Sequence, residues 1–102
     1  MDGEIDRIET ALGHIVEIAT DLRADPDGHV RRSVQELRDA FASRGLVEPA
    51  VARVRQSILM LRSGNRDGSR REFMARAGGL DRLDELFEAE VLPDLRRLGF
   101  EV

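Results

Sequence analysis

Arg53 and Gln56 are the side chains best suited to chemistry, in a segment that resembles the second helix of a helix-turn-helix. Arginine pairs with guanine and glutamine with adenine in the major groove of DNA. Gly45 takes the place of the turn glycine. Val51 and Val54 follow six and nine residues later, where a recognition helix packs on its partner helix. This spacing predicts a helix-turn-helix over residues 34–62 and makes DNA one candidate partner.

Two residues of the same segment favour a plain helical hairpin instead. Phe41 stands four residues before Gly45, where a tight corner between two helices needs a small side chain. Arg44 takes the position directly before the glycine, which is apolar in most such corners. Any two helices joined by a glycine-containing turn produce the remaining pattern, so both interpretations stay open.

The loop after this segment is a second place where an anion can bind. Its glycines lead into a helix and have arginines around them, an arrangement suited to anions, although the phosphate-loop pattern GxxxxGK[ST] is missing. A capped turn facing solvent is the favoured explanation of the loop. The candidate contacts for nucleic acid or another anion in the two regions are Arg53, Arg55, Gln56, Arg62, Arg66, Arg70 and Arg71.

Neither catalysis nor metal binding finds support in the residue pattern. The chain has no cysteine, which removes thiol nucleophiles and thiolate ligands. His14 and Glu17 have the wrong order and number for a di-iron helix bundle, and neither His14 nor His29 stands in a recognisable nucleophilic arrangement. We therefore predict a protein without enzymatic activity, metal or cofactor.

The elements that position these residues are predicted to be helices throughout. Apolar residues recur every three or four positions from Ile5 onward, and no segment alternates as a strand would. The prediction is an all-α compact bundle of four main helices in one domain, residues 1–102, with the third helix starting near Pro49. The last helix is expected to be broken near Gly78-Gly79 and kinked near Pro93. Leu59 and Met60 widen the apolar face of the third helix, which predicts burial on two sides.

The first helix carries a narrow apolar seam with the heptad spacing of a coiled coil. Such a seam can pair within the bundle or with a second copy of the chain. Because the chain is small and its apolar stripes are narrow, we expect a homodimer. The candidate dimer seam consists of Ile5, Ile8, Leu12, Ile15 and Leu22.

Charge is divided along the chain into three blocks. Residues 1–30 have a net charge of −6, residues 31–78 of +6 and residues 79–102 of −4, and all 16 basic residues are arginine. Acidic helices can cover the basic middle, or the middle can meet an anionic partner. An acidic stripe in the last block is a candidate docking surface for a basic partner, including a second copy: Asp81, Asp84, Glu85 and Glu88.

These features predict a non-enzymatic interaction protein, a small regulator, adaptor or inhibitor that occupies the surface of a partner protein. The first alternative is a helix-turn-helix transcription regulator. The second is a helical accessory subunit of a larger enzyme assembly. The longest apolar run, residues 58–61, is far shorter than the roughly 18 residues of a membrane span, so we expect no membrane association. The acidic start and the absence of cysteine predict a cytoplasmic location.

Overall fold

Four main helices, the last assembled from three pieces, make up the fold in a computed structural model. It describes the backbone of residues 2–22, 25, 27–43, 45–64 and 70–102, and the side chains of these except at positions 2, 62, 64 and 70–77. The elements are α1 (Asp2–Asp21), α2 (His29–Ala42), α3 (Val47–Gly64), α4 (Arg70–Leu86), a π-helical segment (Phe87–Val91) and α5 (Leu92–Arg97). Nothing in the described ranges is a strand. The predicted all-α bundle of four main helices is confirmed.

The apolar seam of α1 faces the core of its own chain. Ile8, Leu12 and Ile15 are at most 1% exposed and pack with the other buried apolar side chains. Ile5 is 38% exposed and Leu22 is half-buried. Heptad spacing shows that a helix has a narrow apolar face but does not identify the helix that covers it. Of the two pairings that the sequence allows, the structure has the one within the bundle for the three central residues of the seam.

The carboxylate of Asp25 fixes the start of α2. Its Oδ2 accepts hydrogen bonds from the backbone N–H groups of Val30 at 3.1 Å and Arg31 at 3.2 Å. Unpaired N–H groups at a helix start need such an acceptor. Gly28 precedes the helix with φ 71°, a left-handed conformation that glycine adopts without steric cost.

α3 differs from the prediction in where it begins and in which residues it buries. The helix begins at Val47, two residues before Pro49, which is tolerated because the first-turn N–H groups have no acceptor within the helix. Leu59 is 62% and Met60 49% exposed, so the expected burial on two sides is wrong. Ile58 and Leu61 already face the core, and their two neighbours consequently point away from it.

The last helix runs through Gly78-Gly79 without the break that the sequence predicts. Its irregularity lies at Phe87–Val91, where the N–H of Leu92 donates to the carbonyl of Phe87, five residues earlier. Pro93 has no N–H for the carbonyl of Ala89 four residues before it, so an unbroken α-helix cannot form there. The expected irregularity near Pro93 therefore takes the form of a wider π turn.

The helices form two layers. α1 packs against α4, the π segment and α5, whereas α2 packs most closely on α3; contacts of α1 with α2 and of α3 with α4 join the layers. The whole measures 44 × 20 × 19 Å. This arrangement leaves two open surfaces, one between α2 and α3 and one between α1 and the C-terminal segment.

The two adjacent glycines of α4 provide a matched test of packing against α1. A methyl group at Gly78 would meet no atom within 4 Å, whereas one at Gly79 would lie 2.6 Å from Cδ1 of Leu22. Gly78→Ala is expected to raise the free energy of unfolding by about 0.5–1 kcal/mol, since alanine favours the helix. Gly79→Ala should raise the free energy of unfolding by less, because the side chain of Leu22 must move to make room for the new methyl group. Urea unfolding measures both, and equal gains would contradict the close packing of Leu22 on α4.

Candidate functional site

The outward surface between α2 and α3 contains two of the residues that the sequence predicts as DNA contacts, Arg53 and Gln56. Arg53 and Gln56 are exposed on α3, and Leu59 and Met60 follow Gln56 by three and four residues, on the same side of the helix. With Arg32 of α2 they form what we call the α3 face. A groove of about 220 Å³ runs along it, lined by Arg32, Arg53, Gln56 and Met60 among others.

Within this face, Arg53 is already paired with an acidic neighbour. Its Nε donates to Oε2 of Glu36 on α2 at 2.5 Å, and both side chains are more than half exposed. Arg32 contacts Nδ1 of His29 at 3.3 Å and has no carboxylate partner in the described part of the chain. Ala50, which the helix-turn-helix interpretation places near the exposed half of the helix, is fully buried. The face is therefore a mixed polar and apolar surface with an excess of positive charge.

Arg55 does not belong to this face. Its Nε and Nη2 donate to the two carboxylate oxygens of Glu88 in the π segment, at 2.9 and 3.1 Å. These hydrogen bonds raise the pKa of Arg55 above its ordinary value. Where α2 packs on α1, Arg38 donates from Nη2 to the backbone carbonyl of Glu9 at 3.3 Å. Its Nε lies 3.1 Å from Oε2 of Glu9 without hydrogen-bond geometry. Each junction between the layers thus joins a basic helix to an acidic segment.

The acidic stripe of the last block is engaged within the chain. Besides the Arg55–Glu88 pair, Oε2 of Glu85 lies 3.6 Å from Nη1 of Arg82, and Asp81 and Asp84 each make a further interaction. A basic partner at this stripe would have to compete with those contacts. The other predicted anion contacts, the side chains of Arg62, Arg66, Arg70 and Arg71, lie outside the described residues.

A groove between α1 and the C-terminal segment was not predicted from the sequence. It has a volume of about 510 Å³ and lies over Ala11, Ala89 and Pro93, with the charged side chains of both segments along its walls. A second cavity of about 300 Å³ continues it and shares His14 with it. We call the two together the α1 groove. It has ten lining positions in its larger part: Asp6, Arg7, Thr10, Ala11, His14, Ala89, Glu90, Pro93, Asp94 and Arg97.

Asp94 is the buried charge of this groove, with 4% of its surface exposed. Arg7 donates to it twice, from Nε to Oδ2 at 3.0 Å and from Nη2 to Oδ1 at 3.2 Å. Arg97 donates from Nη1 to Oδ1 at 2.6 Å. The hydrogen bond from Arg7 is the main cause that lowers the pKa of Asp94, against the opposing effect of burial. No sequence signal pairs residues 7 and 94, because the contact depends on how α1 packs against α5.

Apart from Arg82, which pairs with Glu85, the remaining charge of the α1 groove is negative. Asp6 and Glu90 line its larger part, and Glu17 and Asp21 line its continuation. None of these four carboxylates has a cationic partner among the residues that the structure describes. The groove therefore combines a floor of small apolar side chains with unpaired carboxylates at its edges.

Comparison with protein-family models, curated proteins and solved structures gives no match for this chain. In the described ranges, no three histidine, aspartate or glutamate side chains are grouped closely enough to hold a metal ion. None of the described helices combines the length and apolar character required to cross a bilayer. The surfaces of the molecule are thus the basis for a functional proposal.

Replacing Asp94 with asparagine tests whether its ionised form stabilises the fold. At neutral pH we expect Asp94→Asn to lower the free energy of unfolding by about 1–2 kcal/mol, because charge-assisted hydrogen bonds are lost. Since the folded-state pKa of Asp94 is lowered, this stabilisation is complete above the unfolded value of about 3.9 and disappears as pH falls through the folded value. Urea unfolding over a pH series should show the two proteins converging below about pH 4.

Glu90→Gln is the matched control, because Glu90 is an exposed carboxylate of the same groove. This variant should keep wild-type stability throughout the series. If the difference in the free energy of unfolding between wild type and Asp94→Asn stays constant with pH, the ionised form of Asp94 does not stabilise the fold through Arg7 and Arg97.

Proposed function

We propose that this chain is a non-enzymatic interaction protein whose α3 face docks onto a partner protein that presents apolar side chains and carboxylates. The observation that carries the proposal is the exposure of Leu59 and Met60, 62% and 49%, next to arginines on one helix surface. Other apolar side chains of α3, among them Val54, Ile58 and Leu61, already pack into the core. Leu59 and Met60 are therefore not needed for packing within the chain.

The apolar part of the face supplies binding energy. Burying a leucine or methionine side chain contributes about 1.5–3 kcal/mol relative to leaving it in water. Gln56 lies one turn before both residues and can exchange hydrogen bonds at the rim of the contact. This combination of an apolar centre and a polar rim is typical of protein–protein interfaces.

The charged part of the face selects the partner. Arg32 is exposed without a carboxylate partner in the described residues, and Arg53 uses one side of its guanidinium on Glu36. A guanidinium has five N–H donors, and two parallel ones match a carboxylate. An acidic, amphipathic segment of a partner would therefore place its carboxylates on these arginines and its apolar side chains on Leu59 and Met60.

Duplex DNA fits the same face less well. Arg55, one of the predicted contacts, is paired with Glu88 outside this face, and Ala50 of the predicted recognition helix is buried. The exposed side chains of Leu59 and Met60 also have no apolar counterpart on the phosphates and sugars, which receive most hydrogen bonds in protein–DNA complexes. A protein partner is therefore favoured over the helix-turn-helix alternative, and DNA binding becomes an outcome of the test.

The test is selection from a display library of random peptides, followed by titration of the enriched peptides. We expect acidic amphipathic sequences, because they satisfy both parts of the face. Replacing Leu59 and Met60 together with serine should weaken their binding roughly tenfold or more, as for a central apolar contact. Leu46→Ser is the matched control, since Leu46 is 77% exposed but lies before α3 and should not matter.

Two results would overturn the proposal. One is enrichment of peptides whose binding is unaffected by the double serine variant. The other is retardation of duplex DNA that weakens steeply with salt and is abolished by Arg53→Ala, which would establish the helix-turn-helix function instead.

A further inference from the structure

The α3 face and the α1 groove are complementary in charge and separate in position. The groove has four carboxylates without a cationic partner in the described residues, since its three arginines are paired with Asp94 or Glu85. The face has Arg32 and Arg53 beside the single carboxylate of Glu36. No residue of α2 or α3 lines the groove, and no residue of α1 or the C-terminal segment lines the cavity of the face. One molecule can therefore use both surfaces at the same time.

We propose that the α1 groove of a second copy of this chain is an occupant of the α3 face, so that copies associate head to tail. The inference rests on the proposed function and names one partner for the same face. The contact is heterologous, because two different surfaces meet, and it leaves one free face and one free groove at the ends.

The apolar parts of the two surfaces also match. The floor of the groove consists of Ala11, Ala89 and Pro93, whose small or compact side chains leave an open volume of about 510 Å³. The exposed pair Leu59 and Met60 projects from the face, and burying it on this floor removes apolar surface from water on both copies. Neither the predicted dimer seam of α1, whose central residues are buried, nor the acidic stripe, which is engaged internally, takes part.

The polar parts bring opposite charges together around this apolar centre. Asp6 and Glu90 stand at one part of the groove, and Glu17 and Asp21 at its continuation. Arginines of the incoming face would meet these carboxylates at the exposed rim. Because exposed charges are screened by ions, the association is expected to weaken as salt rises.

Two blocked variants separate this mode from any symmetric dimer. Ala89→Arg fills the groove and adds positive charge at an exposed position, and Met60→Glu adds an acid to the face. At low salt the wild type should increase in mass with concentration, whereas each variant alone should remain a monomer. Mixed in equal amounts, the variants should form a complex of twice the 11.5 kDa monomer mass and stop there, since one intact face meets one intact groove.

Sedimentation velocity measures these masses, and circular dichroism checks that each variant is folded. Leu46→Glu is the matched control, because it adds an acid to an exposed leucine outside both surfaces and should associate like the wild type. A wild type that stays monomeric at low salt overturns the inference, and so does a variant mixture that stays monomeric. The peptide titration gives an independent result: if acidic peptides still bind the α3 face, the proposed function stands and only the second copy is excluded as its partner.

Discussion

The first and last helices are held together by a buried carboxylate that requires two arginines. Asp94 is almost fully buried, and an isolated ionised carboxylate there would be strongly disfavoured. Arg7 and Arg97 supply three hydrogen bonds, so the charge is compensated where α1 meets α5. The π turn at Phe87–Val91 directly precedes α5, and both pack against α1. The walls of the α1 groove follow from the same contact.

The division of charge along the sequence becomes a division between the two layers. α1 and the C-terminal segment form one side of the molecule and carry the acidic blocks, whereas α2 and α3 carry part of the basic block. Arg38 with Glu9 and Arg55 with Glu88 lie where the layers meet. Internal complementarity is therefore present at the junctions, while the outer surfaces keep their excess charge. Acidic segments therefore cover basic helices at the junctions, whereas the outer surface of the basic helices can still meet an anionic partner.

The sequence predicts the helices well because three-to-four spacing reports directly which face of each is apolar. It cannot identify the partner of that face, and in the α1 seam Ile8, Leu12 and Ile15 face the core of their own chain. The predicted burial of Leu59 and Met60 is wrong because an apolar run does not show which of its residues face the core. Ile58 and Leu61 take the core-facing positions of this run. The expected break at Gly78-Gly79 followed from helix propensity alone, and tertiary packing overrides that preference. The α1 groove depends on a contact across 87 positions, beyond any local pattern.

An arginine can hold an internal ion pair and still have donors for the partner carboxylate that we propose. A lysine that pairs with a carboxylate presents a single point charge, whereas a guanidinium distributes five donors around a plane. The Nε of Arg53 donates to Glu36, which leaves the terminal N–H groups of the guanidinium for another acceptor. The pairing also restricts the side chain before binding, so less rotamer entropy is lost when a partner docks. An arginine already held by its own chain is thus better prepared to bind a second carboxylate than a mobile one would be.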